Sequence, residues 1–566
     1  LWSGPLDNQR RPTVFRLLAT ALTLLALPFA ANAQWQFNGV PVSTAPEYQA
    51  APVICTDGAG GAIIAWIDYR GGNYDIYAQR LNAAGVPQWA ANGVPLCTQV
   101  GNQITVSMVS DDAGGAVVVW YDARNSIQTG LDIYAQRVNG SGTPLWTVDG
   151  VAVCQAAFDQ SEPYVVKSVN NYVIAWFDYR NGATSDVYVQ ALNASGAWQW
   201  IDPDGVAVCT AAGNQFRVHL SQDGLGGAVV AWDDRRSGSN DIYARRVNQL
   251  GAVQWTANGV LICNATNDQY DPQIVSDAAA GAIIAWYDWR SGSPDIYMQR
   301  IDSSGTPLWT ANGNPICTAP FAQDSPSLVA DVSGGATVVW ADHRNGANAD
   351  IYAQHVTPAG AIMYPADGIA VCTAAGEQFT PVISKDPASA GIVTWFDRRS
   401  GNSDVYAQRL DYSTGISLWT NNGVVLCTEP HAQEGACVVA DGSGGGIVAW
   451  ADLREGNYYD IYAEHVNGNG PTAVGNTPAA TSLRATNYPN PFTGTTTIEF
   501  VLPSASDVEL GVYDVAGHRV WVRRLAQADA GRHAVTFSPT SLPNGVYFYR
   551  VQAGAETVAR KMVIMR

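Results

Sequence analysis

The sequence predicts an all-β chain: an eight-bladed β-propeller closed by its own N-terminal strand, followed by a small β-sandwich. Three observations predict it. Trp66, Trp120, Trp176, Trp232, Trp286, Trp340, Trp395 and Trp450 recur at intervals of 54 to 56 residues. Each interval reads as four short strands joined by turn residues, with no helical period. The array is also permuted, so that its first segment supplies a strand that its last copy lacks.

The repeat carries more than its Trp. Each Trp is followed two residues on by Asp and four residues on by Arg, from Asp68 and Arg70 in the first copy to Asp452 and Arg454 in the last. The fifth copy has Trp286, Asp288 and Arg290. A D-[IV]-Y triplet follows in each copy, and a Gln precedes each Trp by sixteen or seventeen residues, from Gln49 to Gln433. In the second copy, residues 102–109 form strand a and S-D-D-A-G-G a turn. Residues 116–121 (AVVVWY) form strand b, an apolar run that asks for burial on both faces. Asp132 to Val138 form strand c, and strand d passes Trp146 and runs through N/D-G-V-x-x-C.

Closure follows from the ends. The N/D-G signal of strand d first occurs at Gly39, ahead of the first strand a, while the last repeat stops after strand c near Asn467. Pairing 35–44 with 460–466 completes the eighth blade and leaves no open edge. A linear solenoid has no use for such a permutation. The c–d segment resembles the tryptophan-docking motif of quinoprotein dehydrogenase propellers, which implies a Trp packed between blades. No adjacent cysteine pair accompanies it, and no cofactor is expected.

Length and composition set the frame for the rest. At 566 residues the chain exceeds what one core supports. Its 55 Gly and 19 Trp suit many short strands and tight turns. A net charge of −18 would repel DNA, so nucleic acid is disfavoured and not expected as a partner. Arg10, Arg11 and Arg16 precede an apolar run from Leu17 to Ala30 that ends in Ala31-Asn32-Ala33. That is the pattern of a secretory signal peptide over 1–33, cleaved near Ala33. The run is too short to span a membrane, so no transmembrane anchor is expected. The propeller is expected over 34–466, a linker over 467–486 and the sandwich over 487–566.

A residue present in every blade is expected to be structural, because chemistry needs one asymmetric site. The eight Asp are read as loop caps or partners of the nearby Arg. Cys97, Cys154, Cys209, Cys263, Cys317, Cys372 and Cys427 share one strand-d position, where the first copy has Ser43. They are read as buried thiols, and no metal site is expected because no ligand spacing accompanies them. Cys55 and Cys437 fall outside the repeat, two positions apart in register on strands that meet at the closure, where a disulfide is a weighed alternative to free thiols.

Function is sought in what varies on the face that carries the Gln ring and the Asp/Arg loops. The residue between Asp and Arg varies, and Tyr69, Tyr179, Trp289 and His343 are the candidates for sugar stacking or partner contact. Glu47, Glu162, Asp271, Asp324, Glu377 and Glu434 are asymmetric acids near strand a, with nothing in the sequence to pair them.

The last 80 or so residues lack the repeat. They begin Tyr488-Pro489-Asn490-Pro491-Phe492, continue through V-Y-D-V-A-G and G-V-Y-F-Y-R, and end with K-M-V-I-M-R. Alternating strands without a helix indicate a sandwich. These motifs resemble the type A C-terminal sorting domain of the type IX secretion system, similar in fold to the immunoglobulin-like domain of flagellar hook-capping proteins. The resemblance implies the outer-membrane secretion machinery as a partner and delivery to the cell surface or medium. The expected function is a secreted or surface propeller that binds a glycan or protein, more a binder than an enzyme, with no catalytic residue named. The alternative is a carbohydrate-active enzyme, a sialidase-like hydrolase or polysaccharide lyase, on the propeller face.

Overall fold

The computed structural model describes residues 35–470 and 483–565, apart from 347, 387–389, 489, 491, 503, 529–530, 540–541 and 555. The expected signal peptide and most of the expected linker lie outside the described residues. Residues 40–466 form eight four-stranded antiparallel sheets, each ordered a-b-c-d. The innermost strands a pack side by side around the axis, and strand a of the eighth blade packs on that of the first. Strand d is shorter than the pattern suggests. It covers only four residues, such as Val151–Cys154, because Trp146 sits on the loop before it.

Strand b is the spine of each blade, and in the second blade residues 116–120 are fully buried. All eight repeat Trp are fully buried as well, each removing about 150–250 Å² of ring surface from water. Each indole lies against the glycine that opens strand d of its own blade. At Gly93 an added Cβ would stand 2.5 Å from the Trp66 ring, and φ is +84°. Both facts demand glycine there.

The polar groups of the repeat form one buried cluster per blade. Trp66 Nε1 donates to Asp68 Oδ2 at 2.8 Å, and Arg70 Nε donates to Asp68 Oδ1 at 2.8 Å. The Arg70 guanidinium lies 3.9 Å over the Tyr77 ring and donates to Asn92 O, tying strand d to the b–c loop. The cysteine joins this cluster from the preceding blade: Arg124 Nη2 lies 3.1 Å from Cys97 Sγ. At the junction of the eighth and first blades, Arg70 donates instead to Ser43 Oγ. Burial pushes these thiols up, Cys97 to about 12, so they are inert as nucleophiles.

Among the described residues all nine cysteines are free. Cys55 packs with Ile63, Val106 and Val118 between the first and second blades, whereas Cys437 packs with Ile64 and Trp66 between the eighth and first. Lying on the same side of equivalent strands is what separates them, because each faces the next blade.

The N-terminal segment completes the eighth blade. Val40 pairs with Ala463, Pro41 with Tyr462 and Ser43 with Ile461. Trp35 Nε1 donates to Ala83 O of the first blade, as Trp89 does to Gly140 O one blade on. One residue fits poorly. Where most blades place a buried Gln, such as Gln79 donating to Ala90 O, the eighth has Glu464. Gly39 N donates to its Oε2 at 3.1 Å, its Oε1 is unpartnered, and burial pushes its carboxyl well above the usual range.

An acid with a raised native pKa contributes stability below its unfolded value that is lost as pH rises. Glu464→Gln should therefore stabilise the propeller by about 1–3 kcal/mol at neutral pH, with a gain that shrinks toward pH 4. Paired thermal melts across pH check this, because the other carboxylates cancel in the difference. A gain independent of pH would contradict it.

On the opposite face, Asp57 takes the Ala59 and Gly61 N–H groups and pairs with Arg80 at 2.9 Å. Arg80 also donates to Gly140 O in the next blade. The C-terminal domain is a sandwich of one three-stranded and one four-stranded sheet, its core built on Phe492, Ile498, Phe500, Tyr549 and Met562. Asn490 of its opening motif clamps the final strand, donating to Lys561 O and accepting from Val563 N.

Candidate functional site

The innermost strands of three neighbouring blades depart from the repeat together. Strand a of every blade carries a bulge two residues after its Gln, opposite the buried Trp, where the pairing skips from Phe216–Asp233 to His219–Ala231 in the fourth blade. The bulged residue has a left-handed φ of 45° to 66° in all eight: Ala51, Thr105, Glu162, Arg217, Asp271, Ser325, Thr380 and Gly435. Bulges re-aim side chains, and a left-handed backbone at non-glycine residues is strain that the ring holds in place. Five of these residues are small and uncharged. The charged three are consecutive, in the third, fourth and fifth blades.

The residue two positions further on repeats the asymmetry. It is Tyr164, His219 and Gln273 in those three blades, and Val53, Val382 and Cys437 in the first, seventh and eighth. Tyr164 and His219 pack ring against ring with centroids 4.3 Å apart. His219 Nε2 lies 3.7 Å from Asp271 Oδ1 and 3.3 Å from Gln273 Nε2, and that amide also donates to Asp271 at 3.2 Å. Burial, with the Asp271 and Glu162 carboxylates nearby, pushes the Tyr164 phenol up to about 12.

Beside this group, Arg217 Nη1 donates at 2.6 Å to Asp233, which is fully buried and also accepts the Asp271 N–H at 3.0 Å. Burial pushes the Asp233 carboxyl up to about 8, against the pull of Arg217. Arg217 also lies 5.1 Å over the Tyr270 ring. A depression of about 360 Å³ opens here, lined by Glu162, Phe177, Phe216, Arg217, Arg235, Asn240 and Tyr270. Its wall is aromatic, with Phe177 and Phe216 rings 6.3 Å apart. Flat rings, paired acid–base groups and a guanidinium are the equipment of a saccharide site.

The residues chosen from the sequence are not gathered into this site. Tyr69, Tyr179, Trp289 and His343 stand on the first, third, fifth and sixth blades. Tyr69 packs edge-on to Tyr74 at 5.0 Å, and His343 lies 3.9 Å from Asp324. Tyr179 reaches the rim of the depression through Phe177, with ring centroids 6.1 Å apart. Of the asymmetric acids, Glu162 and Asp271 belong to the site. Asp233 was missed. Its signal is that the residue after the repeat Trp is apolar or Tyr in the seven other blades and Asp only in the fourth. Among the described residues no cluster of metal-ligating side chains occurs, and no helix is long and apolar enough to cross a membrane.

Residues 486–565 match the secretion system C-terminal sorting domain family, and this part of the chain is such a domain. It implies engagement of the outer-membrane translocon and export to the cell surface or medium. No curated protein matches the chain. Among solved structures, it is similar to a puromycin hydrolase at 13% identity and TM-score 0.41, covering 72% of this chain and 59% of that one. It is also similar to an ulvan lyase of polysaccharide lyase family PL25, at 10% identity and TM-score 0.42, over 68% of this chain and 97% of the lyase. An endo-arabinase from Bacteroides thetaiotaomicron gives 11% and 0.28, over 48% and 95%. These likenesses are to enzymes, and on that finding the expectation of a chain more binder than enzyme is corrected.

Proposed function

We propose that this is an extracellular polysaccharide-cleaving enzyme whose catalytic site is the arc formed by the third, fourth and fifth blades. One observation carries the reading: Tyr164, His219, Arg217 and Asp271 converge from three neighbouring blades, at strand positions that other blades fill with small or apolar residues. Cleaving a glycosidic link requires a group to protonate the leaving oxygen and another to take up a proton from the sugar or from water. Tyr164 keeps its proton at neutral pH and serves as the acid. His219, its ring oriented by Asp271 and Gln273, serves as the base. Phe177, Phe216 and Tyr270 offer faces on which sugar rings stack.

The test is digestion of a panel of neutral and acidic polysaccharides by the purified chain. Loss of polymer length with new chain ends is the expected result. An ultraviolet-absorbing unsaturated end would identify elimination, and new reducing ends without it would identify hydrolysis. A protein that leaves every polymer intact would overturn the reading.

A further inference from the structure

Arg217 is set in the cleft in a way that catalysis by Tyr164 and His219 does not require. Its Nη1 is pinned at 2.6 Å to the Asp233 carboxyl, which has no exposed surface, while the arginine side chain itself is 44% exposed. Asp233 is pinned in turn by the Asp271 N–H, so the anchor is fixed from two blades. A guanidinium held at one end presents its remaining N–H groups in a fixed direction, and the planar fork then fits a carboxylate or sulfate. Arg235 lines the same depression. In a chain of net charge −18, Arg217 and Arg235 bring two guanidinia into one depression, with Glu162 the one carboxylate in its lining.

A cleft built for neutral sugar would have no use for the buried anchor. Burying Asp233 is costly unless it is paired, and the other seven blades fill its position with apolar side chains or Tyr. Arg217 and Asp233 occur together in the one blade where the bulge points a cation into the depression. We infer that the polysaccharide taken by this cleft is acidic, and that Arg217, oriented by Asp233, reads the carboxylate or sulfate on one of its sugars. This rests on the proposed saccharide cleft, but not on cleavage taking place there.

Equilibrium binding tests it on the full chain. The probes are polygalacturonate for carboxylate, dextran sulfate for sulfate, and xyloglucan as a neutral polymer. The expected result is binding of one or both acidic polymers and none of xyloglucan. Arg217→Met alone would leave the buried Asp233 carboxyl without its partner, so the decisive variant is Arg217→Met with Asp233→Asn. That double variant should keep the wild-type melting temperature within a few degrees and lose roughly tenfold or more in affinity for the acidic probe. Arg217→Lys keeps the charge but not the fork and should lose most of that amount.

Loss on the polygalacturonate arm alone assigns a uronate, and loss on the dextran sulfate arm alone assigns a sulfate. Equal binding of xyloglucan, no binding of either acidic polymer, or unchanged affinity in the folded double variant would overturn the inference. Acidic binding without turnover would sink the catalytic reading and leave this one standing.

Discussion

Removing residues 34–46 should leave a propeller that aggregates or melts far below the full chain. The segment supplies strand d of the eighth blade, and its loss bares the edge of Asp460–Val466 as an unpaired template. Trp35 and Val42, both buried, account for about 3–6 kcal/mol of apolar burial by themselves. Arg454 loses the Asn38 carbonyl, and Glu464 loses the Gly39 N–H inside the fold. Against a domain stability of about 5–15 kcal/mol, that is a large fraction. The check is thermal unfolding with size-exclusion chromatography, alongside a circular permutant that carries 35–46 after Gly470. The permutant should recover the wild-type melt, and a deletion that melts like the full chain would refute closure.

Much of this architecture was legible in the sequence because a propeller repeats its needs. Every blade buries one Trp against one glycine and satisfies its indole with one Asp, so those residues recur in fixed columns. The permutation was legible too, since a missing strand leaves a count that does not balance. The site was not. Glu162, Arg217 and Asp271 are more than fifty residues apart in the chain and meet only because a bulge redirects each one from the innermost strand.

The residue between Asp and Arg varies on separate loops, and the copy that lines the depression is Arg235 of the fourth blade rather than one of the aromatics. The informative columns lie two and four positions after the Gln, where charged residues in the first and large polar side chains in the second are confined to neighbouring copies. Asp233 was hidden in a doubled Asp, its partner Asp234 being the repeat residue. Cys55 and Cys437 are close in register but face different blade interfaces, which register alone does not reveal.

The second large effect is expected on turnover. Tyr164→Phe removes the phenolic proton while keeping the ring against His219, and His219→Ala removes the base. Each should lower kcat by about 10²–10⁴-fold on the polymer that the wild type cleaves. Neither residue takes part in the Trp–Asp–Arg clusters that hold the blades, so melting should move little. Tyr69→Ala and Trp289→Ala, on other blades or loops, should leave kcat within a few-fold. Substitutions at Tyr164 and His219 that cost nothing, in a wild type that cleaves, would move the chemistry elsewhere.

A crystal structure of the Tyr164→Phe variant with an oligosaccharide cut from its own substrate would locate the site. Sugar rings are expected in the depression between the third and fifth blades, against Phe177, Phe216 or Tyr270, with a glycosidic oxygen within hydrogen-bond reach of position 164. Sugar bound over the first and eighth blades, or on the outer strands, would contradict it.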